Sequence, residues 1–295
     1  MILAAPVSRV SVLARGARAL LLVGAAAALA SCSIFDDFQA PWEGEKYKMK
    51  IEPDVPASKA YDQGLAQLAN GAPQEAAKKF TDLGEKFPDS DWARKGLLMT
   101  TYAQYEAGDF DSCEASAERY VKLYPKSQEA AYALYLEASS YYRQIPDISR
   151  DQERTAKALG AFQQVVRDYP NSEYVEDAKF KIQVTEDQLA GKEMSIGRFY
   201  LNRRNYTAAI NRFRNVLTGY QNTRHSEEAL YRLTEAYLGL GITDEAQTAA
   251  AVLGHNFPDG QWYKDAYNLL KNGGLSPKEN QQSWISKLYH VVVPS

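Results

Sequence analysis

The stretch Ala158–Ala178, ALGAFQQVVRDYPNSEYVEDA, decides the fold. Ala158, Phe162, Val165, Val166 and Tyr169 share one helical face, a proline follows, and a second helix begins after a short polar link. The spacing recurs along the chain. Twelve residues before Pro88 stands Ala76, before Pro125 Cys113, before Pro170 Ala158 and before Pro258 Ala246. At Gln221 the proline is lost, yet Ala209 keeps the interval. The residue ahead of each of these positions is aromatic: Phe87, Tyr124, Tyr169, Tyr220 and Phe257. Five copies of one helical unit follow from this punctuation.

A small residue lets two helices approach closely. The positions four and seven residues after it continue an apolar stripe, as in Ala76, Phe80, Leu83 and Ala209, Phe213, Val216. Proline ends each helix, because it clashes with the preceding turn and pushes its neighbour out of the α region. A pair that buries one stripe needs neighbours, so such units stack. The pattern resembles a tetratricopeptide repeat. Gly64, Ala76, Phe80 and Pro88 fall at that repeat's small, small, aromatic and proline places. The expected fold is all-α: an α-solenoid of five tetratricopeptide-like helix pairs.

The chain is 295 residues long and 45% apolar, enough for a sizeable core. Residues 1–31 stand outside the repeats. Arg9, Arg15 and Arg18 give a basic start, and Ala19 to Ala30 is an apolar run too short to span a bilayer. It ends in Leu29-Ala30-Ser31-Cys32, which resembles a bacterial lipoprotein lipobox. That resemblance implies cleavage before Cys32 and acylation of its sulfur and amine, and several acyl chains make a stable anchor. Ser33 and Ile34 after the cysteine, in place of aspartate, imply sorting to the periplasmic face of the outer membrane. Without the leader, 31 basic and 37 acidic residues leave a net charge of −6, which does not suit nucleic acid. Cys113 is then the single thiol; it occupies the small-residue place of its repeat, where packing explains it.

Residues 32–56 read as the acylated cysteine and a tether carrying Pro41, Gly44, Pro53 and Pro56. The array is expected over 57–271. Ser58 is the expected cap of its first helix, Gly71-Ala72-Pro73 the first turn and Gly108-Asp109 the second. Repeat three starts near Ser127 and carries an enlarged turn, Ile145 to Asp151. Repeat four has the longest first helix, Ser172 to Asn202, with Gly191 marking a bend. Repeat five spans about His225 to Phe257, and Gln261 to Lys271 reads as a solvent-facing capping helix. Residues 272–295 form a tail with Trp284, Ile285, Leu288, Tyr289 and Val292 on one helical face.

No catalytic constellation is legible, and no cofactor is expected. His225, His255 and His290 lack the spacing of metal ligands, and no GxSxG, HExxH or phosphate loop occurs. The informative residues are aromatic. The tetratricopeptide register implies that first helices line one face of the array. It places Tyr61, Leu65 and Leu68 there, then Lys95, Leu98, Tyr102 and Tyr105, then Tyr132, Tyr135, Tyr142 and Arg143. Packing between repeats accounts for any one of these tyrosines; as a set they suggest a surface that a partner covers.

With the lipobox, the tether and five repeats assembled, the chain resembles the BamD family, outer-membrane lipoproteins of the β-barrel assembly machinery. Arg167 to Tyr174 (RDYPNSEY), Ala208 to Arg212 (AAINR) and Ser149-Arg150-Asp151 read closely like that family's segments. The likeness covers about residues 29 to 258, and the tail from Gly273 has no counterpart. The resemblance implies a non-catalytic scaffold that joins a BamA-like barrel protein and other assembly-complex lipoproteins and binds unfolded outer-membrane proteins. It implies a client-binding groove of Tyr61, Leu65, Lys95, Tyr102, Tyr105, Tyr132 and Tyr135, with Lys95 meeting a client's terminal carboxylate. It also implies that Arg212, expected to project outward about 100° from buried Phe213, docks the scaffold to the barrel protein. Two alternatives stay open: another lipoprotein scaffold such as a pilus-assembly pilotin, and a regulator of peptidoglycan enzymes. Pilotin repeats are usually regular, whereas the intervals here are 37, 45, 51 and 37 residues. Replacing Cys32 by Ala is expected to release the protein from membranes into the soluble periplasmic fraction. Retention of the variant on membranes lacking its partner would refute the anchor.

Overall fold

The computed structural model describes residues 55–88 and 90–292, with side chains to Tyr289. The leader, Cys32 and nearly all of the tether lie outside the described residues. Among those described there are twelve helices and no strands. They form five pairs: α1 (Ala57–Ala69) with α2 (Pro73–Lys86), α3 (Asp91–Glu106) with α4 (Phe110–Leu123), α5 (Ala130–Arg143) with α6 (Glu153–Asp168), α7 (Val175–Asn202) with α8 (Tyr206–Gly219), and α9 (His225–Leu240) with α10 (Thr243–Asn256). Two further helices follow, α11 (Gln261–Asn272) and α12 (Trp284–Val292). Each helix up to α11 packs on the next in sequence, α12 packs on α10, and the first helices of repeats one and two, two and three, and four and five also touch one another. The fold is a helical-repeat solenoid.

The spacing that predicts the repeats also builds the core. Ala76, Cys113, Ala158, Ala209 and Ala246 are all 0% exposed. The residues four places on (Phe80, Ala117, Phe162, Phe213, Ala250) and seven places on (Leu83, Tyr120, Val165, Val216, Leu253) are buried as well. In repeats one and four a glycine on the first helix makes room for the ring. A Cβ at Gly64 would lie 2.5 Å from Phe80 Cε1, and one at Gly197 2.4 Å from Phe213 Cε1.

The links repeat as faithfully as the stripes. Phe87, Tyr124, Tyr169, Tyr220 and Phe257 each close a second helix at φ between −130° and −139°. The carbonyl of each then accepts the N–H three residues on, from Ser90, Ser127, Ser172, Thr223 and Gly260, at 3.0–3.2 Å. Because Tyr220 keeps this turn without a proline after it, the hydrogen bond suffices to set the geometry. This explains why α5 and α7 begin later than the serines suggest: Ser127 and Ser172 belong to the turns. Ser58 is no cap either, since Pro56 holds the N-cap position of α1 and no side chain caps that helix. Within pairs, Gly71, Gly108 and Gly241 take positive φ near 75°, and Arg204 stands at φ 58° in the same role.

Two other expectations change. Gly191 does not bend α7, which runs unbroken for 28 residues. It provides clearance: a Cβ there would lie 2.7 Å from Ile148 Cδ1 and 3.2 Å from His225 Nε2. The enlarged loop is thereby seated on α7, where Lys192 Nζ donates to the Ser149 carbonyl at 2.9 Å and Gln188 Nε2 to that of Pro146 at 3.2 Å. Residues 283–289 are likewise part of the packed structure. Ile285 is fully buried and Tyr289 is 8% exposed in the core of the last repeats. Trp284 Nε1 donates to Tyr237 Oη at 3.0 Å, and Ser283 Oγ to Glu245 at 2.6 Å. The array therefore ends in α12 rather than in α11, although α11 does present Tyr267 to solvent.

One half-buried carboxylate opposes the fold. Glu137 on α5 faces Glu114 and Glu118 of α4, and burial first, then their charge, raises its pKa to about 7. A carboxyl that titrates higher folded than unfolded stabilises the fold most below its unfolded pKa, and that contribution is lost as pH rises through about 7. Glu137→Gln is expected to flatten the fall in stability between pH 5 and 8 and to exceed the parent at pH 8 by up to about 3 kcal/mol, read by urea denaturation. A second comparison tests the pair closure. Gly197→Ala gains about 1 kcal/mol of helix propensity but strikes a fully buried ring, where overpacking costs typically 1–3 kcal/mol, so a net loss is expected. Gly160→Ala, in the open middle of α6 with nothing within 4 Å, should stabilise by about 0.5–1 kcal/mol.

Candidate binding surface

First helices carry the predicted surface, and contacts across repeats divide it into two groups. In the first, Tyr61 of α1 packs on Phe80 at 5.4 Å and on Trp92 of α3 at 5.6 Å, and Lys95 Nζ lies 5.0 Å from the Trp92 ring centre. Leu65 is 38% exposed one turn along α1, with no ring or ion contact to the others. In the second group, Tyr102 of α3 meets Tyr132 of α5 at 6.4 Å. Tyr132 and Tyr135 both stack on Tyr174 at the start of α7, at 5.1 and 4.9 Å. Tyr105 sits edge-on to Phe110 at 5.9 Å and lies within the field of Arg143 and Lys181.

Every one of these tyrosines is half-buried. Packing and exposure thus coexist in the same rings. Burial raises the phenols of Tyr61, Tyr102, Tyr105 and Tyr132, and pushes that of Tyr174 up to about 12. All of them stay neutral at physiological pH.

Lys181 of α7 closes the second group. Its Nζ donates to Tyr135 Oη at 2.6 Å and to Asp177, while Tyr135 Oη donates to the same carboxylate at 2.6 Å. It also lies 4.7 Å from the ring centre of Tyr135 and 5.8 Å from that of Tyr142. Burial opposes both charges, yet the mutual hydrogen bonds prevail: the Asp177 carboxyl is held below its usual range and the Lys181 ammonium above. Lys181 is therefore neutralised in place. Lys95 and Arg143 are exposed and carry no ion pair among the described residues.

Trp92, Tyr174, Asp177 and Lys181 are absent from the sequence-based list. A signal for two of them exists: Trp92, Tyr174 and Trp262 each stand four residues after the link proline. Each meets a tyrosine of the preceding first helix, Trp262 stacking on Tyr231 at 5.2 Å. At the other two joints an ion pair crosses between repeats, beside the Tyr102–Tyr132 contact in the case of repeats two and three. Arg94 Nη1 donates to Glu129 at 2.7 Å between repeats two and three, and Arg198 Nη1 to Glu228 at 2.9 Å between four and five.

Arg212 projects outward with its side chain 38% exposed, and it is held by an ion pair that helix geometry alone does not show. Its Nη1 donates to both oxygens of Glu193 on α7, at 3.2 and 3.3 Å, and Asn215 Nδ2 donates to the same carboxylate at 2.9 Å. The reason is the long α7, whose side chains reach across to the outer edge of α8. Cys113 is fully buried and its thiol is pushed up to about 11 by burial, which makes it unreactive.

A stacked array of helix pairs, with half-exposed aromatics on its first helices, is the form of a tetratricopeptide-type scaffold. Residues 53–253 match the YfiO family, described as an outer membrane lipoprotein, and the chain belongs to that family. It is 46% identical over 222 residues to the outer membrane protein assembly factor BamD of Caulobacter vibrioides, covering 75% of this chain and 73% of that one. It is 41% identical to the BamD of Rickettsia prowazekii, covering 74% of this chain and 87% of that one. With the BamD of Neisseria meningitidis serogroup A the identity is 34%, over 74% and 85% of the two chains.

Proposed function

We propose that the protein is a non-catalytic assembly factor at the periplasmic face of the outer membrane, anchored through acylated Cys32. In this reading it joins a BamA-like barrel protein through the face that carries Arg212, works beside other assembly-complex lipoproteins, and holds unfolded outer-membrane proteins along its aromatic stripe. The observation that carries the reading is the stripe itself, in a chain whose relatives are assembly factors. Rings that stack with one part of their surface and face water with the rest offer sequence-tolerant apolar contact at little entropic cost. An extended client strand displays side chains on alternate faces, so every second residue can meet a ring. The neutral phenols and the self-compensated Lys181–Asp177 pair leave Lys95 and Arg143 as exposed cations of this surface that carry no ion pair among the described residues. Photocrosslinkers at Tyr102, Tyr132 and Lys95 should capture a terminal peptide of a barrel protein, and Tyr102→Ala with Tyr132→Ala should weaken its binding at least tenfold, as loss of two aromatic anchors does. Crosslinks confined to α9 and α10, or undiminished binding by the double variant, would overturn the assignment.

A further inference from the structure

Resting on the docking role proposed for Arg212, we infer that Glu193 is a positioning residue: it holds the Arg212 guanidinium by one nitrogen and presents the remaining edge to a carboxylate of the partner. Arg212 uses Nη1 alone, split between the two Glu193 oxygens at 3.2 and 3.3 Å. Nε and Nη2 make no hydrogen bond or ion pair among the described residues. Charge-assisted N–H···O bonds run to about 2.7–2.9 Å, so the intramolecular pair is slack and can share its cation. Glu193 itself is firmly placed. Its side chain is only 19% exposed, against 38% for Arg212, and Asn215 grips it at 2.9 Å. Anchor and presenter are thus distinct: a fixed carboxylate inside, a half-exposed guanidinium outside with two adjacent donors free.

An incoming carboxylate can take those two donors side by side, the geometry for which arginine is suited and lysine is not. The charges facing the site restrict the approach: the carboxylates repel an incoming one from their side, which leaves the half-exposed edge of Arg212 as the way in. Glu193 and, more distantly, Glu186 stand near Tyr220 on the inner side, and Arg214 on the same helix is turned away onto the Trp284 ring at 4.6 Å. Were Glu193 a competitor, it would occupy the fork edge at short distance; it occupies a corner at long distance.

The test uses the full-length protein and the periplasmic repeat region of a BamA-like barrel protein, with affinity measured over a salt series and melting measured in parallel. Arg212→Gln and Glu193→Gln should each weaken association about tenfold or more without shifting the melting of the isolated chain. The double variant should be no weaker than Arg212→Gln alone, because both changes remove one interaction. Asn215→Ala should weaken association less, and Glu193→Asp should recover part of it. If Glu193→Gln binds as well as the parent, or better, while Arg212→Gln is weak, Glu193 is idle or a competitor and the inference fails. Additive losses in the double variant would also refute it, assigning Glu193 a separate role. If Arg212→Gln binds normally, the docking reading itself is wrong and the positioning role falls with it.

Discussion

Every repeat of this protein depends on how closely its two helices can approach. A single apolar stripe is a narrow seam, and it excludes water only where a side chain without bulk sits at its start. Ala76, Cys113, Ala158, Ala209 and Ala246 meet that demand, all fully buried, and the larger residues four and seven places on fill what lies below. Interiors pack near crystalline density, so a ring such as Phe80 or Phe213 fits only because the opposing helix offers a glycine. Cys113 belongs to this constraint and not to chemistry. Its elevated thiol reflects the dryness that the other four positions show with alanine.

Closure within pairs leaves the joints between pairs to be solved separately, and the chain solves them with aromatic contacts and ion pairs. Aromatic contacts join repeats one to two and three to four, and join the fifth repeat to α11; an ion pair and the Tyr102–Tyr132 contact join two to three, and an ion pair joins four to five. A stacked pair contributes about 0.5–1.5 kcal/mol beyond area burial, whereas a half-exposed ion pair contributes about 0–1 kcal/mol. The aromatic joints are therefore the firmer ones. They are also where rings remain partly in solvent, which is why the same residues define the candidate surface. The long α7 has one foot in each kind: Tyr174, Asp177 and Lys181 serve the aromatic joint, while Asp187 and Arg198 near its far half serve the charged one.

What could be read from the sequence was whatever repeats within one unit. The small–aromatic–proline interval is local, so it disclosed the stripes, the pairing and the five-fold count before any coordinates. Interactions that need a second repeat were hidden. Trp92 and Tyr174 look like incidental helix-start residues until a tyrosine some thirty to forty residues earlier is known to lie against them. Gly191 read as a bend because glycine weakens helices, but the loop that needs its clearance is Ile148, forty-three residues upstream. The ion pair of Arg212 was hidden because a helical wheel knows only its own helix, and Glu193 lies on another. The α12 helix showed its apolar face plainly, yet the face it covers belongs to the last repeat pair.

The two proposed contacts ask for opposite kinds of recognition, and the molecule keeps them on different repeats. Clients differ in sequence, so the surface that holds them must tolerate variety. Neutral rings with few rotatable bonds do so, and pairing Lys181 with Asp177 compensates a half-buried cation that would have favoured acidic residues at that point. A single fixed partner calls for orientation, and orientation comes from a directional group held from behind, as Glu193 and Asn215 hold Arg212. The stripe occupies the first helices of repeats one to three and the start of α7; Arg212 stands on the second helix of repeat four. Substitutions in one region leave the other's contacts intact, so client capture and docking are separable by mutation even though both are borne by one continuous stack of helices.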